Sequence, residues 1–504
     1  MFIRQKKNKT GTVSIQVIDK STGKYRVVHT AGSSADKSII HGLMGQAHRY
    51  IKQVKGQYEF DFFSGNDDRY YASVYENIQQ VQLLGPELVL GKIFDSIGFN
   101  AIPDEMFRHL VITRLVYPVS KLKTLDYLQK YKGIVYEKDE VYRYLDKLHK
   151  QQIQTVQQIS YQHTLKVLES SLTVVFYDVT TLYFEAEEED DFRKTGFSKD
   201  GKHQQPQIVL GLLVSAGGYP LDYEIFEGSK FEGHTMLPVV EAFKKKYKIE
   251  ELVIVADAGL MSEKNISQLL ENNYKFIIGA RIKNETHTIQ EQILSLGLAD
   301  KESAELKRED AQRLIVSYSA SRAKKDEHNR NRGLTRLEKQ LEKGKFSKKH
   351  INNKGYNKYL KLEGEVKISI DYEKYKADAK WDGLKGYLTN TCFAKEKVIE
   401  YYKQLWNIEK TFRISKTDLR IRPVYHYRKR RIEAHICIAF AACKIYKELE
   451  RLLIIKESKL SPSKAIDILK TIYAITLNLP QSKEAKLMLL DKTEEQKIVL
   501  ALFR

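Results

Sequence analysis

Cysteine is nearly absent: the 504 residues include three, Cys392, Cys437 and Cys443, and no two form a CxxC pair. A disulfide framework and a zinc knuckle are both excluded as organising devices, and a reducing interior is the expected compartment. Proline is scarce, at 9 residues, and no apolar run approaches the ~18 residues that span a bilayer. The opening residues, MFIRQKKNKTG, lack the apolar centre of a signal peptide. The expectation is a soluble intracellular protein. Acidic charge is in deficit: 84 Lys and Arg against 65 Asp and Glu give a formal net charge of +19. Such an excess favours a polyanionic partner, because each neutralised phosphate releases counterions. A solvated basic surface is the alternative. The length allows about three or four domains.

Two apolar stretches stand out against this background. Residues 171–184, SLTVVFYDVTTLYF, read as a strand over 174–177 with Asp178 at its end. Residues 252–256, LVIVA, read as a second strand, followed by Asp257-Ala258-Gly259. Uncharged β-runs of this kind are covered on both faces. A carboxylate there is costly unless a cation or donors compensate it. Two of them, each closing a core strand, point to a shared metal site. Singly, each has a plainer reading as a strand-end or helix cap.

Along the chain, Val13, Ile15 and Val17 alternate before a turn at Ser21-Thr22-Gly23-Lys24, predicting a hairpin within residues 1–30, with a helix over 38–55. Gly85-Pro86-Glu87 opens a helix, and another runs from Asp104 to Pro118. One or two more follow over 140–172. Strands are expected at 207–215, 219–228 and 275–280, with helices at 236–247 and 263–272. Three strands in hairpin succession, then helix, strand, helix and strand, describe a ribonuclease-H-like α/β core, with a generic mixed sheet as the alternative. In that core the first and fourth strands are neighbours, which would bring Asp178 to Asp257. The sequence divides into an N-terminal hairpin and helical segment (1–84), a helical candidate DNA-binding region (85–170), a first core part (171–282), a β-containing insertion (283–390), final core helices (391–450) and a C-terminal helical region (451–504). Within the insertion, strands are expected at 313–318, 366–371 and 386–389 and a charged helix over 323–343. An uninterrupted helix is expected over 395–416, a second over 432–453 and a third over 465–478.

The segment YYKQLWNIEKTFRISK, residues 401–416, places Tyr402, Leu405 or Trp406, Glu409, Arg413 and Lys416 along one helical stripe. Glu409 paired with Arg413 on a solvated surface is the plainer reading. Trp406 reads as packed core. His203 and His234, standing singly, read as making local hydrogen bonds rather than binding metal.

On these residues the chain resembles the DDE transposases of bacterial insertion sequences, in the branch with a β-rich insertion and the signature Y-x-x-R-x-x-x-E-x-x-x-x-x-x-K. Tyr402, Glu409 and Lys416 match it, and Leu405 stands where the arginine is expected. YDVTT and ADAGL carry the first two acids, and Trp406, Ile408, Asp382-Gly383 and Tyr387-Leu388-Thr389 also fit. The resemblance covers residues 171–450 and implies that Asp178, Asp257 and Glu409 hold two Mg²⁺ (or Mn²⁺) ions. It implies cleavage of double-stranded DNA at the element's inverted repeats and joining of the freed ends to target DNA, by a homodimer associated with the bacterial nucleoid. Tyr402 and Lys416 would position the cut strand, Arg413 or Lys403 would replace the missing arginine, and Trp381 or Tyr387 would stack on a base. A decayed, DNA-binding copy or a metal-dependent nuclease without strand transfer would carry the same motifs.

Overall fold

The computed structural model describes residues 1–55, 77–169, 172–198, 201–260, 263–308, 312–352, 355–363, 367–478 and 485–503. The expected boundary at 170/171 and the start of the strand expected at 366 lie outside the described residues. The chain forms two units, residues 1–79 with 477–486, and residues 80–476 with 487–504.

In the first unit, β1 (Phe2–Lys7), β2 (Val13–Asp19) and β3 (Arg26–Ser34) form an antiparallel sheet in that order. The alternation of Ile15 and Val17 puts both side chains against α1 (Lys37–Val54), where they are fully buried with Ala47. The hairpin expectation therefore holds, extended by a polar first strand. A short strand, β4 (Ile78–Leu83), follows.

The second unit starts at residue 80, within β4, and continues with helices. After Pro86, a π-helical turn (Glu87–Gly91) runs into α2 (Lys92–Ile97). Then come α3 (Glu105–Val116), α4 (Lys121–Lys132), α5 (Lys138–Gln151) and α6 (Ile153–Leu168). The sheet strands are β5 (Val174–Tyr183), β6 (Gln207–Ser215) and β7 (Pro220–Glu227); after α7 (Met236–Tyr247) comes β8 (Val253–Ala256), and after α8 (Glu263–Glu271) comes β9 (Lys275–Ala280). Next are α9 (His287–Ser295), β10 (Ser303–Lys307), β11 (Arg313–Tyr318) and α10 (Ala320–Glu342). A hairpin of β12 (Leu360–Glu363) and β13 (Lys367–Ile370), then α11 (Tyr372–Ala379) and β14 (Leu384–Thr389), complete the insertion. The chain then forms α12 (Lys395–Lys403), α13 (Trp406–Arg413) and a long α14 (Lys429–Ile455).

The strand order is β10-β11-β14-β9-β8-β5-β6-β7. β5, β8 and β9 run parallel; the remaining neighbours are antiparallel. It is a mixed α/β architecture with one large sheet. The insertion's strands β10, β11 and β14 are not a separate layer: they extend that sheet from the edge of β9.

Period-two alternation sorts the strand residues onto two faces. Val175, Tyr177, Ile254, Ala256, Phe276 and Ile278 pack with Val240 and Phe243 of α7 and Leu269 of α8. Phe176, Val255, Ile277 and Tyr387 pack with Tyr402, Ile408 and Phe412 on the other face. That second core is continuous with the helices of residues 85–168, which pack around α14; residues 434–449 of α14 are buried throughout.

Two helical expectations change. Residues 395–416 break at Gln404-Leu405, and a π-helical turn, Ile414–Asp418, follows α13. The expected helix over 465–478 is α15 (Pro462–Leu469) followed by β15 (Tyr473–Asn478), because the β-branched and aromatic residues after Leu469 favour extended backbone. β16 (Ala485–Leu489) and α16 (Glu494–Leu502) close the chain, so its C-terminal part is not all helical. Among the described residues no helix is long and apolar enough to cross a membrane.

Candidate active site

Asp178 lies within β5, not at its end, because β6 pairs with the strand on past it to Tyr183, opposing Asp178 to Leu212. The shorter β8 stops at Ala256, which stands beside Tyr177 in the parallel pair. The next residues of the two strands, Asp178 and Asp257, are therefore neighbours. Alternation puts Asp178 on the face of Phe176, and Asp257 turns to the same face, where the Tyr402 hydroxyl donates to its Oδ1 at 2.8 Å. Asp178 is half-buried and its Oδ1 accepts the Val179 N–H at 2.8 Å; Asp257 is exposed.

Glu409 sits on α13, which packs against β5 on this face. Its neighbours pin the helix. Asn407 donates from Nδ2 to the Ala216 carbonyl at 3.0 Å, Thr411 donates from Oγ1 to the Gly218 carbonyl at 3.1 Å, and Lys410 pairs with Glu450 of α14. Ile408 and Phe412 are buried beneath, so Glu409 is turned outward and is exposed. Among the described residues no group of three His, Cys, Asp or Glu side chains stands close enough to hold one metal ion. The donor set itself suits a hard cation: carboxylate oxygens, with no thiolate or imidazole beside them.

The other expected site residues separate into two groups. Arg413 and Lys403 are exposed, and Lys416 lies in the π-helical turn. Tyr402, by contrast, is 6 % exposed, and its ring packs edge-on to Tyr387 with centroids 5.1 Å apart. Burial and the adjacent Asp257 push its phenol well above the ordinary range. Its reach is to the acid rather than outward to a strand of DNA. Tyr387 is 2 % exposed, which leaves no ring face for a base, and Trp381 packs with Ile282, Ile293 and Val316 inside the insertion. Leu405, at the expected arginine position, is buried. Trp406, expected in the core, is instead 55 % exposed, one turn ahead of Glu409 with Lys410 Nζ 5.5 Å from its ring. His203 accepts the Ser198 N–H through Nδ1 at 3.3 Å, and His234 packs edge-on to Phe231.

Sequence reasoning missed Lys385. It shares the period-two face of Tyr387 on β14, and its Nζ lies 4.4 Å from the centroid of the Tyr402 ring. Burial and Arg322 hold its ammonium below the ordinary lysine range, against the opposing pull of Asp257 and Glu409. One ammonium thus feels two of the three acids. The signal available was the alternation Lys385-x-Tyr387, once β14 is known to lie on β9.

The transposase DDE domain family matches this chain over residues 169–443, a span that contains both strand acids and Glu409. No curated protein matches. Among solved structures, the chain is similar to the piggyBac transposase in a synaptic complex with hairpin DNA, at 11 % identity and a TM-score of 0.37, over 72 % of this chain and 69 % of that one. Matched along more than half of its 504 residues, this chain belongs to the DDE-domain transposases.

Proposed function

We propose that the chain is an active, metal-dependent transposase that cuts DNA at the ends of a bacterial insertion sequence and joins those ends to target DNA as a homodimer. The carrying observation is the shared sheet face: Asp178 on β5 adjoins Asp257, the residue that follows β8, and the helix bearing Glu409 is pinned against the same face. The order β7-β6-β5-β8-β9, with β5, β8 and β9 parallel, supports a ribonuclease-H-like core, with the insertion widening its sheet.

In this reading Asp178, Asp257 and Glu409 hold two Mg²⁺ or Mn²⁺ ions. Bound there, the ions would activate the attacking oxygen and neutralise charge on the leaving one. The Glu409 side chain is exposed and makes no hydrogen bond or ion pair among the described residues, which leaves its carboxylate oxygens available to a cation. Tyr402 fixes one oxygen of Asp257 and leaves the other available. Arg413 and Lys403 supply exposed cations for flanking phosphates, and Lys416 lies just beyond them.

The test is a supercoiled plasmid carrying the element ends, incubated with the chain and Mg²⁺. Cleaved and inserted products are expected from the wild type, and neither from Asp178→Ala, Asp257→Ala or Glu409→Ala, each of which should still bind the ends. Nicks alone would indicate a nuclease, and a mobility shift without cutting a DNA-binding descendant. Normal cutting by any of the three variants would remove that residue from the site.

A further inference from the structure

Five cationic side chains and no carboxylate line a cavity of about 610 Å³ between the α3–α4 connection and residues 420–435. They are Arg114, Lys121, Lys123, Arg420 and Arg422, and none of the three acids is among the lining residues. Two of the five are taken out of bulk water: Arg114 and Lys121 are each 5 % exposed. Burying an unpartnered cation is expensive, and the other buried Lys and Arg side chains among the described residues have partners. Buried Arg193 pairs with Asp190, Lys447 with Glu450, and Lys444 donates to the Ser160 carbonyl and Thr164 Oγ1. The Lys121 side chain has no hydrogen bond or ion pair among the described residues, and the Arg114 side chain has one long donation, 3.5 Å to the Leu419 carbonyl.

The helix geometry sharpens the anomaly. Lys121 is the first residue of α4, whose N-cap Ser120 accepts the Lys123 N–H. A cation at that end opposes the helix dipole, whereas an anion would be favoured by both. His426 and His435 also line the cavity, with ring centroids 5.6 Å apart. Burial and the nearby cations push His426 down to about 3 and His435 well below its ordinary value, so both rings are neutral. What the pocket lacks is a compact polyanion with several acceptor oxygens.

We propose that this cavity is a second, non-catalytic phosphate site, which receives a phosphoryl group of the DNA strand between Arg114, Lys121 and the rim residue Arg420. The choice of DNA over free phosphate rests on the function proposed above; the need for an anion rests on the cavity alone. Arg420 is exposed and stands at φ +45°, a left-handed backbone that an arginine adopts at a cost, and it leaves the site open to a long chain.

The experiment measures binding of a fluorescein-labelled duplex as a function of salt, in EDTA so that metal at the acids plays no part. Lys121→Met and Arg420→Gln are compared with wild type. Each pocket variant is expected to bind about tenfold more weakly and to lower the salt slope by about one. Inorganic phosphate should raise the Tm of the wild type and not that of Lys121→Met, whose own Tm without phosphate should be higher than wild type. Arg420→Gln, altered at an exposed residue, keeps the test valid if Lys121→Met does not fold. Unchanged affinity and slope in the pocket variants, with no rise of the wild-type Tm in phosphate, would overturn the site. A phosphate-induced Tm rise with unchanged DNA slopes would likewise overturn its assignment to DNA. Failure of the wild type to bind DNA at all would instead sink the transposase function, and this assignment with it.

Discussion

The Tyr402 hydroxyl donates to Asp257 across 145 residues of chain, at 2.8 Å, from a ring buried against Tyr387 and capped by Lys385. A carboxylate held by one oxygen keeps its orientation while the second oxygen remains a ligand. Tyr402→Phe should therefore cost only ~1 kcal/mol of stability. It should raise the Mg²⁺ concentration for half-maximal cleavage by about 10-fold or more, as removal of an orienting partner does at metal sites. A Mg²⁺ titration of plasmid cleavage decides it. An unchanged midpoint would mean that the hydrogen bond plays no part in holding the acid.

Gly279 supplies an independent route to the same contact. It lies on β9 beneath Tyr402, and a methyl group there would overlap the Tyr402 hydroxyl. Gly279→Ala should displace the phenol from Asp257, reproducing the Mg²⁺ defect of Tyr402→Phe and adding ~1–3 kcal/mol of overpacking. The double variant Gly279→Ala/Tyr402→Phe should be more stable than Gly279→Ala alone, since removing the hydroxyl relieves the overlap. Denaturant midpoints of the four proteins give the coupling; simple additivity would count against it.

Much of this site is legible in the sequence because it is built by short-range rules. The strands at 207–215 and 275–280 and the helix at 236–247 take their expected bounds, each being an uncharged or periodic run closed by turn residues. The adjacency of Asp178 and Asp257 follows from a parallel pairing that the element order already suggests. What escapes is set by packing between distant segments. The break at Gln404-Leu405 has no Gly or Pro to announce it. Leu405 turns inward there while Trp406 turns out, and no periodicity separates those neighbours. The sheet extension through β14 and the cationic cavity join segments roughly a hundred or more residues apart, so neither leaves a local pattern. Lys385 and Lys121 look in the sequence like any other lysines in a basic chain.

The insertion should loosen in acid through Asp378. This carboxylate of α11 accepts from Lys283 at 2.8 Å and from the Tyr359 hydroxyl at 2.6 Å, and also pairs with Lys358. Burial alone would raise it; the bonds to Lys283, Lys358 and Tyr359 outweigh burial and hold it far below the ordinary carboxylate range. Its folded value lies below its unfolded one. The stabilisation is therefore complete above the unfolded value of about 4 and is lost as pH falls below it. Protection from hydrogen exchange, relative to the intrinsic rate at each pH, should fall below that point over residues 355–363 and 367–379 in the wild type. Asp378→Asn should exchange quickly at neutral pH, at a cost of ~2 kcal/mol, with a flattened acid limb. An acid limb as steep as wild type in Asp378→Asn would assign the effect to another group.

Trp406 offers a direct view of DNA arriving beside Glu409. The chain has two tryptophans: Trp406 is 55 % exposed at the start of α13, and Trp381 is packed inside the insertion. An exposed indole next to Lys410 presents a flat apolar face and a cation to the same approaching strand. In a Trp381→Phe chain, whose emission comes from Trp406 alone, adding duplex should quench the fluorescence and shift it to shorter wavelength. In Trp406→Phe the remaining emission should barely respond. Trp406→Ala should weaken binding of element ends by ~1–3 kcal/mol if a base or sugar stacks on the ring. Equal quenching in both single-tryptophan chains would place the DNA elsewhere, because Trp406 is exposed beside Glu409 while Trp381 is partly buried in the insertion.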